Sequence, residues 1–75
     1  MEYRGVRHWL RMIRLQKDYS QSVVAAMCGV SQAAYNNVER GYRNPSEAFR
    51  AKIAEALEFP VERWDEEEAK RGTAR

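Results

Sequence analysis

The chain has a single cysteine, Cys28, and a single histidine, His8, among 75 residues. One cysteine excludes an internal disulfide, and with one histidine it falls short of the ligand set of a structural zinc site. No apolar run approaches the ~18 residues of a membrane span. The arginine-bearing N-terminus has neither the apolar stretch nor the cleavage pattern of a secretion signal, so a cytoplasmic address is expected. No paired acid–base constellation and no Cys–His arrangement stand out, and so small a chain leaves little room for a catalytic cleft. No enzyme activity, metal or cofactor is therefore expected. Cys28 lies among small and apolar residues and reads as packing; His8 lies in an arginine-rich stretch and reads as surface.

What is present fits one small, highly charged domain, with 44% hydrophobic and 32% charged residues. A chain of this length buries only about 60% of the surface its unfolded form exposes, so the core must be compact and well patterned. Net charge is only +2, but it is unevenly spread. Residues 1–52 hold nine Lys/Arg against four Asp/Glu, whereas residues 53–75 hold four against seven. A basic body with an acidic end, Glu62 to Glu68, suits a polyanion bound on one face, although chance can produce the same split.

Hydrophobic periodicity predicts five short helices and no strand, repeat or second domain. Val6, Leu10 and Ile13 form a helical stripe over about Val6–Gln16, widened by Trp9, and Lys17-Asp18-Tyr19 breaks it. Ser20 reads as the N-cap of a helix over Gln21–Cys28, with Val24, Ala25 and Cys28 inward and Gly29 as its stop. Val30 plugs the turn, Ser31 caps a helix over Gln32–Glu39 that buries Tyr35 and Val38, and Gly41 ends it. After the polar loop Tyr42-Arg43-Asn44, Pro45 and Ser46 open a fourth helix carrying Phe49, Ile53, Ala56 and Leu57. Glu58-Phe59-Pro60 interrupts the pattern, and Val61 to about Ala69 reads as a fifth helix with Val61 and Trp64 inward. The domain is expected over residues 1–70, with 71–75 a frayed tail.

The segment Ser20 to Gly41 is the informative one. Two short capped helices joined by Cys28-Gly29-Val30-Ser31 are set at roughly 90–120°, leaving the second helix protruding. A protruding, polar-faced helix fits the major groove of B-DNA, which is about 12 Å wide.

The residues Leu10-Arg11, Arg14, Ser20-Gln21, Ala25, Gly29-Val30-Ser31, Glu39-Arg40-Gly41, Asn44-Pro45-Ser46, Ile53-Ala54 and Ala56-Leu57 keep one order and spacing without an internal gap. In this the chain resembles the Cro/repressor (Xre-like) helix-turn-helix family of phage and bacterial regulators, over about Val6 to Trp64. The resemblance implies an all-α, compact five-helix, lambda-repressor-like fold. It also implies base contacts from Gln32, Ala33, Asn36 and Asn37, with amide side chains able to pair an adenine edge and Ala33 able to touch a thymine methyl. Phosphate contacts are implied for Gln21, Ser31, Arg40, Tyr42, Arg43 and Asn44. For Gln32, Asn36 and Asn37 plain solvated helix surface stays open as the alternative. Arg14 and Glu39 are expected to meet as a partly buried ion pair of structural role.

The chain departs from the usual pattern at Tyr35, whose hydroxyl needs a partner if buried. Trp9 and Met12 stand where polar residues are usual; they either cover the last helix near Trp64 or form an exposed subunit contact. The function implied is sequence-specific binding of a double-stranded DNA operator and transcriptional regulation, as a repressor of phage or mobile-element type. A homodimer is expected, in the cytoplasm at the nucleoid, with no membrane partner. The alternative is an antitoxin or accessory factor of an integrated element, bound to a protein partner from the same operon.

Overall fold

The computed structural model describes residues 5–73, with side chains through residue 71. Five helices follow in order: α1 His8–Gln16, α2 Gln21–Cys28, α3 Gln32–Glu39, α4 Glu47–Leu57 and α5 Arg63–Thr73. Among the described residues there is no strand, and no helix is long and apolar enough to cross a membrane.

Three of the five starts are set by serine. The hydroxyls of Ser20, Ser31 and Ser46 accept from the backbone N–H groups of Val23, Ala34 and Phe49 at 3.2, 3.1 and 3.1 Å. Each satisfies one amide that the helix itself cannot, a contribution of about 1 kcal/mol apiece. Gly29 ends α2 in the left-handed region at φ +72°. Its N–H bonds the Ala26 carbonyl, and the chain turns directly into the Ser31 cap.

Helix α2 packs against both α3 and α4, and α1 packs against α3. Their inward faces supply a continuous core in which Leu10, Val24, Tyr35, Val38, Ile53, Leu57 and Trp64 are sealed from solvent, with Cys28 beside them. Fully burying an aliphatic side chain of this size contributes ~1.5–3 kcal/mol. The polar end of Trp64 is satisfied by the Arg50 carbonyl at 3.1 Å.

Several element limits differ from the sequence reading. Helix α1 starts at His8 rather than Val6, because the Arg7 N–H donates to the Glu39 carbonyl at 2.8 Å and holds the chain outside helical geometry. Val61, expected inward, is 44% exposed; Phe59, read as part of a break, takes the buried place. Its ring lies 5.6 Å from Trp9 and 6.3 Å from Trp64. Helix α5 opens at Arg63, two residues later than expected, and runs past Ala69 to Thr73. Arg71, placed in the expected frayed stretch, is therefore helical, and it donates to the Gly5 carbonyl at 2.7 Å. Residues 74–75 of that stretch lie outside the described residues.

Trp9 and Met12 part company. Trp9 stacks edge-on against Trp64 at 4.9 Å and donates its indole N–H to Glu68, so it covers α5. Met12 is exposed. At Gly41 only glycine fits: φ is +84°, and a Cβ there would come within 2.1 Å of the Gly5 carbonyl oxygen.

Candidate nucleic-acid interface

Helix α3 is held from behind. Its inward residues Tyr35, Val38 and Glu39 are buried, while Gln32 and Ala33 in its first turn and Asn37 on its outer face are exposed. The Glu39 carboxylate takes two parallel bonds from Arg14, from Nε at 2.7 Å and Nη2 at 2.9 Å. This fork geometry is the strongest form of the arginine–carboxylate contact. The Tyr35 hydroxyl donates to the same carboxylate at 2.8 Å, which provides the partner that a buried tyrosine at this position requires. Arg14 also donates to the Tyr19 carbonyl at 2.8 Å, tying the α1–α2 connection to the pair.

Burial alone would push the Glu39 carboxyl up, but its donors Arg14, Gln21 and Tyr35 outweigh burial and hold it below the usual carboxylate range. The hydrogen bond to Glu39 holds the Arg14 guanidinium above its ordinary value. Burial, with the neighbouring Glu39 charge, keeps the Tyr35 hydroxyl protonated far above the ordinary tyrosine range. All three groups are thus fixed in the charge states the network needs.

In front of this platform lies an open concavity between the starts of α2 and α3, lined by Arg11, Gln21, Ser22, Gln32, Asn36 and Arg40. It brings together four of the expected DNA-contacting residues, Gln21, Gln32, Asn36 and Arg40, with the Arg14–Glu39 pair in its floor. The Gln21 Nε2 donates to Asn36 Oδ1 and to Glu39 Oε1, both at 3.0 Å. Asn36 is accordingly half-buried rather than free on the surface.

The remaining expected DNA-contacting residues sit around this concavity rather than in its wall. Ala33 and Asn37 are exposed on α3, and the Ser31 hydroxyl is engaged in its cap. The Asn37 carbonyl accepts from the N–H groups of Tyr42 and Arg43 at 2.9 and 3.2 Å, folding the loop back under the helix end. Arg40 lies 4.9 Å from the Tyr42 ring centre and Arg43 lies 5.4 Å from that of Phe49. Both guanidiniums are exposed and directed by an aromatic face. Asn44 is exposed, but its Oδ1 accepts from Arg7 Nη2 at 3.0 Å.

Two features were missed by sequence reasoning. Arg11, exposed on α1 at the rim of the concavity, adds a cation that the spacing Arg11-x-x-Arg14 could have signalled. Arg7 is fully buried. It donates to the carbonyls of Val38 and Arg43 at 2.6 and 2.9 Å and to both Glu68 oxygens at 3.0 and 3.1 Å. Arg7 thereby fixes the end of α3 and the loop carrying Tyr42, Arg43 and Asn44.

A helix-turn-helix family model matches residues 10–64, which hold α2, α3 and the Arg14–Glu39 pair but not Arg7 or Glu68. The chain belongs to the Xre-like helix-turn-helix family. The Xre-like chain is also 39% identical over 54 residues to an uncharacterized HTH-type transcriptional regulator, YqaF, of Bacillus subtilis (strain 168). That match spans 72% of this chain and 71% of the relative. In the Xre-like frame α2 and α3 are the two helices of the motif, and Gly29 sits in its turn.

Proposed function

We propose that this Xre-like chain binds double-stranded DNA sequence-specifically and regulates transcription, with α3 in the major groove. The observation that carries this reading is a helix immobilised by the burial of Tyr35, Val38 and Glu39 while Gln32, Ala33 and Asn37 stand exposed. A rigid helix with exposed amides can hold donors and acceptors against base edges without first losing conformational freedom. Arg11, Arg40, Tyr42, Arg43 and Asn44 lie where they can follow the phosphate backbone on either side. Ser31 and Gln21 stand at helix N-termini, whose N–H groups favour phosphate.

One copy offers DNA only the ~600–1,000 Å² of a single module. We therefore place a homodimer on a near-palindromic operator, its half-sites about one helical turn apart. Repression follows where such an operator overlaps a promoter, as in regulators of the phage and mobile-element type. Action at the nucleoid follows from the same reading.

The test is selection of sites from a random duplex library by wild type and Gln32→Ala. Wild type is expected to return a near-palindrome. Gln32→Ala is expected to relax one position per half-site, at a cost of ~1–3 kcal/mol. Binding that enriches no sequence and vanishes with modest salt would mean phosphate contacts alone and would sink this reading.

A further inference from the structure

We propose that Arg7, which reaches neither solvent nor DNA, is a positioning residue for phosphate binding: it turns the Asn44 amino group outward and seats the Arg43 backbone. This rests on the loop after α3 meeting the DNA backbone, as argued above. Arg7 and Glu68 both lie outside the residues that the family model matches, so the device is added to the shared motif from either side.

An arginine side chain carries five N–H donors and no acceptor. In Arg7 all five are engaged within the protein. Nε donates to Glu68 Oε2 at 3.0 Å, and Nη1 donates to the carbonyls of Val38 and Arg43 at 2.6 and 2.9 Å. Nη2 donates to Asn44 Oδ1 at 3.0 Å and to Glu68 Oε1 at 3.1 Å. The side chain is 0% exposed, so no donor remains for a ligand. The Arg7 backbone is fixed as well, by its N–H on the Glu39 carbonyl at 2.8 Å.

The bond to Asn44 decides which end of that amide is left over. A guanidinium only donates, so Asn44 turns its oxygen to Arg7 and its amino group away. A phosphate oxygen only accepts, so the amino group is the end that a phosphate requires. Asn44 is exposed, and among the described residues its Nδ2 makes no hydrogen bond. Next to it, Arg7 holds the Arg43 carbonyl, while the exposed Arg43 guanidinium rests against the Phe49 ring. Among the described residues Arg43 has no carboxylate partner. The loop thus offers one charged and one neutral donor group on a backbone that is already fixed. A clamp arranged before binding gives up less conformational freedom when it closes on its ligand.

The experiment uses the full chain as wild type, Asn44→Ala, Arg7→Lys and the double variant, each checked for folding by circular dichroism. Lysine keeps the charge but has three donors on one nitrogen, too few for the five bonds. Binding to a duplex carrying the selected operator is followed by fluorescence anisotropy across a salt series. Asn44→Ala should weaken binding roughly tenfold. Arg7→Lys should weaken it at least as much, and should lower the salt slope by about one per half-site as Arg43 drifts. The double variant should bind no more weakly than Arg7→Lys, because the Asn44 contact is already lost there. The consensus should stay the same in all, since Arg14 and Glu39 still hold α3. Losses that multiply in the double variant overturn the inference, as does Arg7→Lys with wild-type affinity and slope. A consensus altered by Arg7→Lys overturns it too, by placing the effect in α3 instead of the loop. Should Arg7→Lys fail to fold, Asn44→Asp takes its place, keeping an oxygen toward Arg7 and presenting a second one outward. It should remain as stable as wild type yet bind at least roughly tenfold more weakly, and wild-type affinity overturns the proposal. A wild type that selects no consensus brings down the groove-reading proposal instead, and the same salt series on a mixed-sequence duplex then tests the clamp by itself.

Discussion

Around Glu39, four donor groups from three helices converge on one carboxylate: Arg14 Nε and Nη2 from α1, Gln21 from α2 and Tyr35 from α3 itself. Around Arg7 the sense is reversed. One guanidinium donates outward to Val38 O, Arg43 O, Asn44 Oδ1 and both oxygens of Glu68. The two buried pairs look alike by composition, yet they organise different things. A carboxylate centre gathers side chains and so fixes how Gln21 and Asn36 are oriented. A guanidinium centre gathers backbone carbonyls and so fixes the course of the chain through residues 38–44. The exposure differs in keeping: at Arg14–Glu39 the side chains are 8% and 3% exposed, while at Arg7–Glu68 they are 0% and 14%.

The largest effects are expected at the first pair. Arg14→Met or Glu39→Leu alone leaves a charge buried without its partner, which should cost ~3–5 kcal/mol. That is a large share of the ~5–15 kcal/mol typical of a folded domain. The double variant should recover much of the loss, read as a coupling above ~1 kcal/mol in a urea denaturation cycle. Absence of coupling would show that the two residues act independently.

The second pair should respond asymmetrically. Arg7→Met strands the Val38 and Arg43 carbonyls and should cost ~1–3 kcal/mol for each group left unsatisfied. Glu68→Gln takes away the counter-charge but leaves Arg7 on those carbonyls and should cost less, ~1.5–3 kcal/mol in all. Equal losses in the two variants would break the picture of an arginine-centred hub. Acid sharpens the same contrast. Burial would raise the Glu68 carboxyl, but Arg7, Arg71 and Trp9 outweigh it and hold the group below the usual range. A lowered folded-state value means the stabilisation is full above the unfolded value of about 4.3 and is lost as pH falls through the folded value. Glu68→Gln should therefore flatten the fall of the urea midpoint below about pH 5. An unchanged slope would mean that Glu68 contributes nothing to acid sensitivity.

The smallest effect is expected at Tyr35→Phe. Glu39 keeps its Arg14 and Gln21 donors, so loss of the hydroxyl should cost ~0.5–1.5 kcal/mol, seen as a modest fall in Tm. A loss as large as that of Arg14→Met would make the hydroxyl, rather than the ion pair, the centre of the network.

What the chain revealed in advance follows the distance over which each interaction acts. The caps at Ser20, Ser31 and Ser46 close within three residues, so serine before an apolar repeat was enough to place them. The left-handed turn at Gly29 is equally local. Arg7 was invisible because its partners lie 31 to 61 residues away, and nothing near it distinguishes a buried arginine from a solvated one. The exchange of Val61 for Phe59 has a related cause. Both flank Pro60 at spacings compatible with a helix, and only the positions of Trp9 and Trp64 decide which one is covered. At the candidate interface the residue types were legible on α3, whereas the hydrogen bond from the Gln21 amide to Asn36 required knowing how α2 crosses it.

Cys28 offers a direct use for the compactness of this core. Its thiol is buried, and that burial pushes its pKa up, so the reactive thiolate is scarce in the closed molecule. It is also the chain's one sulfhydryl. A thiol reagent added to the unaltered protein therefore marks molecules at the moment they open, and the rate of marking times that opening. The protein carries its own stopwatch for structural breathing, and bound DNA should slow it.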